Sequence, residues 1–160
     1  MRKLWAAAGI VGLMIAGATP AGAQARFGAT ISWADDADFG LGARLNFGLG
    51  SVSARSPIEG MVAFDYFFPE SFDYWELTGN GIYRFSTNSS AKPYAGAGIG
   101  IGRASSGSPG VGSSTDAFLN LLAGLRFQAA RRVLPFVEAR IEFGDGSMFV
   151  LGGGIYFGKP

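Results

Sequence analysis

Beyond residue 25, apolar and polar side chains alternate with a period of two over most of the chain. Successive side chains of a strand point to opposite faces, so this period predicts half-buried β-strands rather than helices. In one segment Trp75, Leu77, Gly79, Gly81, Tyr83 and Phe85 lie opposite Glu76, Thr78, Asn80, Ile82, Arg84 and Ser86. In another, Val137, Ala139, Ile141 and Phe143 oppose Glu138, Arg140 and Glu142. The same division separates Leu41, Ala43, Leu45 and Phe47 from Gly42, Arg44 and Asn46. It also sets Val62, Phe64 and Tyr66 against Glu59, Ala63 and Asp65, and Leu119, Leu121, Ala123, Leu125 and Phe127 against Asn120, Gly124, Arg126 and Gln128. The pattern predicts eight strands, at about 26–33, 39–48, 58–68, 74–86, 93–103, 117–128, 135–144 and 148–157. Turn-rich segments such as Asp35-Asp36, Pro69-Glu70-Ser71 and Asp145-Gly146 separate them. An even strand count with short connections predicts an all-β fold, an eight-stranded antiparallel up-and-down barrel.

The first residues break this pattern. Arg2 and Lys3 precede an uncharged apolar run from Leu4 to Ala18, and small residues follow at Ala21-Gly22-Ala23. That is the layout of a secretory signal peptide over 1–23, cleaved after Ala23 or after Ala25, which leaves 24–160 as the barrel domain. A membrane-spanning helix needs about 20 apolar residues, and Gly9, Gly12, Gly17 and Pro20 weaken this run.

Alternation alone does not say which face is inside. A soluble periplasmic barrel binding an apolar ligand would turn its apolar face inward. Three features favour the opposite, a transmembrane barrel with its apolar face toward lipid. The polar face carries glycines at 96, 98, 100, 102, 152 and 154. Glycine weakens a strand, so its abundance there suits a crowded eight-stranded interior, only just wide enough for side chains. Large aromatics lie near the ends of the apolar face, at Trp33, Phe47, Trp75, Phe85, Phe127, Phe149 and Phe157, the placement of two interfacial girdles. The polar face also holds charges of both signs: Arg44, Arg84, Arg126 and Arg140 with Glu59, Asp65, Glu76, Glu138 and Glu142. Buried charges must be paired, and arginine suits close carboxylate pairing better than lysine, so these nine are candidate lumenal ion-pair or gate residues.

Composition agrees. Of 160 residues 26 are Gly and only 16% are charged, odd for a water-soluble domain and ordinary for a lipid-facing barrel. With Arg2 and Lys3 removed, 11 basic residues stand against 12 acidic ones, a formal charge of −1 and no basic patch for nucleic acid. The chain has no Cys, so an exported fold here uses no disulfide, and a lipid-anchored lipoprotein is excluded.

The stretches Lys92-Pro93-Tyr94-Ala95-Gly96-Ala97-Gly98-Ile99-Gly100, Leu122-Ala123-Gly124-Leu125-Arg126-Phe127 and Pro135-Phe136-Val137-Glu138-Ala139-Arg140 resemble the small outer-membrane β-barrel family. This is the family of OmpX-like, opacity-type and OmpA-membrane-domain-like proteins, and the resemblance spans about residues 24 to 158. It implies a bacterial outer-membrane location, contact with outer-membrane lipid and lipopolysaccharide, assembly by the barrel-insertion machinery, and a monomer. The closing segment Phe149 to Phe157 is similar to the family's assembly signal, displaced inward here by Gly158-Lys159-Pro160. The segment between the first two strands is short, unlike the long surface loops of adhesive members.

Candidate chemistry is sparse. Without His or Cys, His-dependent triads, Cys nucleophiles and imidazole metal sites are all excluded. Glu138 and Glu142 form a conceivable carboxylate pair, but Arg140 between them favours ion pairing. Gly96 to Gly102 fails the dinucleotide-loop spacing, since Ile101 takes the place of a glycine. Asp35, Asp36 and Asp38 could hold Ca²⁺, although a solvated loop is the simpler reading. Arg103 either contacts lipopolysaccharide phosphates at the outer rim or faces water beyond the strand end. No catalytic residue, cofactor or metal is expected. The expected role is structural or surface-interacting, with a side-chain-filled polar lumen. A narrow pore for small solutes or ions and the soluble ligand-binding barrel are the alternatives. Outer loops are expected at about 34–38, 69–73, 104–116 and 145–147, the third being the longest.

Overall fold

The computed structural model describes residues 25–49, 57–70, 72–105, 112–128 and 133–158. The expected signal segment, 1–23, lies outside these residues. Eight strands follow one another: β1 (Arg26–Ala34), β2 (Asp38–Gly48), β3 (Ile58–Phe67), β4 (Asp73–Arg84), β5 (Ala91–Ser105), β6 (Ser113–Phe127), β7 (Val133–Phe143) and β8 (Ser147–Phe157). Each pairs antiparallel with its neighbour in sequence, and β1 closes on β8 from Phe27 opposite Phe157 to Ala34 opposite Val150. Closure leaves no unpaired edge, which a β-structure in lipid requires. The barrel has two ends. The terminal end holds the start of β1 and the end of β8, and the hairpin end holds the β1–β2 and β7–β8 turns.

Strand limits agree with the alternation to within a few residues, except where β5 and β6 rise further at the hairpin end. Ladder pairing continues to Ser105 opposite Ser113, through Arg103 opposite Thr115 and Ala104 opposite Ser114. Backbone pairing needs no apolar side chains, so strands persist into a Ser/Gly-rich stretch that the hydrophobic pattern assigns to a loop. The expected loop 104–116 therefore shrinks to 106–112. The other hairpin-end connections are 35–37, 68–72 and 144–146, and those at the terminal end are 49–57, 85–90 and 128–132.

Local chemistry sets the tight turns. Asp38 closes the β1–β2 hairpin at φ 58°, a left-handed conformation that Asp tolerates better than most residues. Asp35 ties this turn to β8, because its carboxylate accepts a hydrogen bond from the Phe149 N–H at 2.9 Å. One member of the conceivable Ca²⁺ triad is thereby occupied as a backbone acceptor. Across the β3–β4 connection the Tyr66 hydroxyl donates to Asp73 at 2.9 Å.

The apolar face points outward. Ile31, Leu41, Leu77, Ile99, Leu119, Leu121, Val137, Ile141 and Leu151 are all exposed, Ile99 at 67%. They form an aliphatic belt around the barrel. The inward face carries polar residues together with apolar layers that the alternation conceals. Met61, Ala63, Ile82, Tyr94 and Leu122 cluster inside the barrel, and Ala34, Ala37, Phe67 and Val150 cluster toward the hairpin end with Tyr74 and Met148 against them. The buried residues of the interior are thus polar and charged groups interleaved with apolar layers.

Candidate functional site

The interior charges form three groups along the axis, each made by strands far apart in sequence. Nearest the terminal end, Glu59 on β3 accepts from Arg126 on β6 at 2.6 Å, from Asn46 on β2 at 3.4 Å, and pairs with Arg84 on β4 at 3.1 Å. Arg26 on β1 approaches the same carboxylate to 3.9 Å. In the middle, Arg44 on β2 donates to Glu138 on β7 at 2.6 Å, and the Tyr94 hydroxyl donates to the other oxygen of Glu138 at 2.8 Å. The Arg44 guanidinium also lies 4.9 Å above the Phe136 ring. Toward the hairpin end, Arg140 on β7 bridges Asp65 at 3.3 Å, Glu142 at 2.7 Å and Glu76. Ser32 donates to Asp65 at 3.4 Å.

All nine charged candidates thus face inward and take part in ion pairs. Eight are buried, while the Arg84 side chain keeps 39% of its surface at the terminal-end mouth. One pairing differs from the sequence reading. Arg140 does not bridge Glu138 and Glu142, because Glu138 is held by Arg44 and Tyr94 across the barrel. The conceivable carboxylate pair is therefore split between two groups. Arg26, Ser32, Tyr94 and Tyr156 are not among the candidates read from the sequence, and Asn46 is read there only as a polar-face residue. Arg26 lies on the same parity as Gly28, Thr30 and Ser32, so extending the alternation by one residue finds it.

Several buried polar atoms in the lumen have no hydrogen-bond partner in the protein: Thr30 Oγ1, Asn46 Oδ1, Asn80 Oδ1, both side-chain atoms of Asn120, and Arg126 Nε and Nη2. Orphans of this kind are normally satisfied by buried water. The inward glycines make room for their neighbours. A Cβ at Gly98 would collide with the Gly79 carbonyl and Asn80, and one at Gly154 with the Ala29 carbonyl. A Cβ at Gly100 would collide with the Phe118 ring and one at Gly102 with the Tyr74 hydroxyl, while at Gly96 it would strike the Gly81 carbonyl at 2.5 Å. Gly152 is looser, its nearest neighbour being Ser32 Oγ at 3.3 Å.

The seven aromatic candidates all lie on the outward parity, in two sets. Trp33, Trp75 and Phe149 stand at the hairpin end with Phe39, Tyr66, Phe68 and Phe143. Phe47, Phe85, Phe127 and Phe157 stand at the terminal end with Phe27 and Tyr83. Ring pairs tie neighbours together within each set, as in Tyr66–Phe68 and Tyr83–Phe85. Arg103 is exposed on the outward parity at the hairpin end, and donates to Ser113 at 3.1 Å.

A closed eight-stranded antiparallel barrel of this form, with an aliphatic outer belt, aromatic ends and a charged interior, has the fold of the small outer-membrane barrels. The N-terminal β-barrel domain of Pseudomonas aeruginosa OprF is similar at 16% identity and a TM-score of 0.71, over 84% of this chain and 98% of that chain. Neisserial surface protein A is similar at 20% identity and a TM-score of 0.62, over 86% and 97% respectively. The outer membrane enzyme PagL is similar at 18% identity and a TM-score of 0.50, over 82% and 98%. At these identities the likeness is one of fold. No protein-family model and no curated protein sequence matches the chain.

Proposed function

We propose that the chain is an integral outer-membrane protein with a structural role, a barrel whose interior is closed by its own side chains. The observation that carries this reading is the aliphatic belt between two sets of aromatics. From Trp75 near the start of β4 to Phe85, one residue past its end, the chain runs roughly 33 Å, which a tilt of about 40° reduces to roughly 25 Å along the axis. That equals the height of the lipid-facing band of such barrels. A soluble ligand-binding barrel has no use for Ile99, Leu119 and Leu151 in water. The short hairpin-end connections favour a structural over an adhesive role. In this role the partners are outer-membrane lipid and lipopolysaccharide, with Arg103 placed to meet headgroup phosphates. The barrel-insertion machinery would act during assembly, and the working state would be a monomer. An enzymatic role has no support in a chain without His or Cys.

Membrane fractionation with gel mobility before and after boiling tests location, since a folded barrel migrates differently from its boiled form. Planar-bilayer recording tests closure. Steady, large conductance would rule out a plugged interior.

A narrow pore for ions or small solutes is the second reading, favoured by the orphaned polar atoms of Thr30, Asn80 and Asn120, which imply internal water. Replacing Arg140 or Glu138 would then change the single-channel trace, and an unchanged trace removes this reading.

A further inference from the structure

At the hairpin end β6 outruns β7. The ladder between them begins only at Leu119 opposite Phe143, so Ser113 to Phe118 rise past the β7–β8 turn. Beside this step lies a cavity of about 190 Å³, open at the mouth of the barrel. Tyr74, Phe118 and Met148 form part of its wall. Four carboxylates line it as well: Asp36 from the β1–β2 turn, Asp116 from β6, Glu142 from β7 and Asp145 from the β7–β8 turn. None of the described lining residues is basic.

The charge behind this cavity is one-sided too. Among the described residues Arg140 alone pairs with Asp65, Glu76 and Glu142, one cation against three buried carboxylates. Arg140 Nε takes Glu142 Oε1 at 2.7 Å. Glu142 Oε2 has no partner among the described residues, although only 4% of the side chain is exposed. A buried charged acceptor without a donor is costly, and this one stands in the cavity wall. The remaining basic residue of the hairpin end, Arg103, lies on the outward parity and donates to Ser113.

We propose that this cavity binds a small organic cation, a primary amine or guanidinium of a few heavy atoms. Glu142 Oε2 accepts its N–H at the floor, Asp116 and Asp145 hold it at the rim, and the Tyr74 and Phe118 rings face its charge. The volume is below the 300–1,000 Å³ or so of pockets for larger ligands, which sets the size. A metal ion fits less well, since among the described residues no three carboxylates converge as its short oxygen bonds require. The site belongs to the mouth and does not depend on whether the bore beneath it conducts.

The test titrates the folded protein, in non-ionic detergent at constant ionic strength, with 1,4-diaminobutane. Methionine methyl groups labelled with ¹³C read it: the Met148 signal in the cavity wall should move saturably, while that of Met61, deep among Ala63, Ile82 and Leu122, stays in place. Asp116→Asn together with Asp145→Asn, both at the exposed rim, should weaken binding about tenfold, a few-fold for each exposed contact. Glu142→Gln should weaken it at least as much, because that contact is buried. Absence of a saturable Met148 shift, equal movement of Met61, or a rim double variant that binds as the parent does overturns the proposal. So does an equal Met148 shift with Ca²⁺ in place of the diamine, which would make the site one for inorganic cations. If Glu142→Gln does not fold, the rim double variant still decides.

Discussion

Arg140→Met removes the guanidinium from the group nearest the hairpin end while keeping an unbranched side chain of similar length. Arg140 and its partners Asp65 and Glu76 have at most 1% of their side chains exposed, and Glu142 has 4%. Stripping one partner from a buried pair typically costs about 3–5 kcal/mol, because the other charge is left without compensation. Here three carboxylates lose their shared cation, so the loss should reach at least about 3–5 kcal/mol. Urea unfolding in lipid vesicles measures it, with Trp33 and Trp75 on the outer surface reporting departure from lipid. The fourfold variant Arg140→Met, Asp65→Asn, Glu76→Gln, Glu142→Gln removes the charges together and should recover most of the loss, since the penalty lies in unpaired charge. A loss below about 1 kcal/mol for Arg140→Met, or a fourfold variant less stable than the single one, would refute the reasoning.

Other substitutions check separate parts of the structure. Gly98→Ala should destabilise by about 2 kcal/mol or more, because the new Cβ meets the fixed Gly79 carbonyl. Gly152→Ala should cost under about 1 kcal/mol in the same urea assay, since Ser32 can give way. Leu121→Arg places a charge on the belt near the middle of β6 and should cost about 2–4 kcal/mol in vesicles, whereas Thr115→Arg near the hairpin end should be close to neutral. Tyr94→Phe removes the hydroxyl that donates to Glu138 and should cost about 1–3 kcal/mol, read from the same unfolding curves.

Much of this fold is legible in the sequence because a barrel is a local pattern repeated. Alternation assigns each side chain a face within one strand, and closure follows from strand number and short connections. The ends of β5 and β6 are less legible, since Ser113, Ser114 and Thr115 carry no hydrophobic signal while their backbones still pair. The charged set is legible by parity, but its partners are not. Glu138 meets Arg44 rather than Arg140, 94 positions away in sequence, because partners are chosen across the bore and not along a strand. Ile82, Leu122, Phe136 and Val150 sit on the polar parity and fill the interior between charged groups. Their presence interrupts the alternation, a departure that marks apolar layers in the lumen.

The direction of the two faces is the point on which everything else rests, and the absence of Cys makes it measurable. Single cysteines at 119 to 125 on β6, each carrying a nitroxide label in lipid vesicles, read oxygen accessibility residue by residue. The structure predicts high accessibility at Leu119, Leu121, Ala123 and Leu125, and low accessibility at Asn120, Leu122 and Gly124. The opposite phase, or uniform exposure to a water-soluble relaxant, would contradict a lipid-facing barrel.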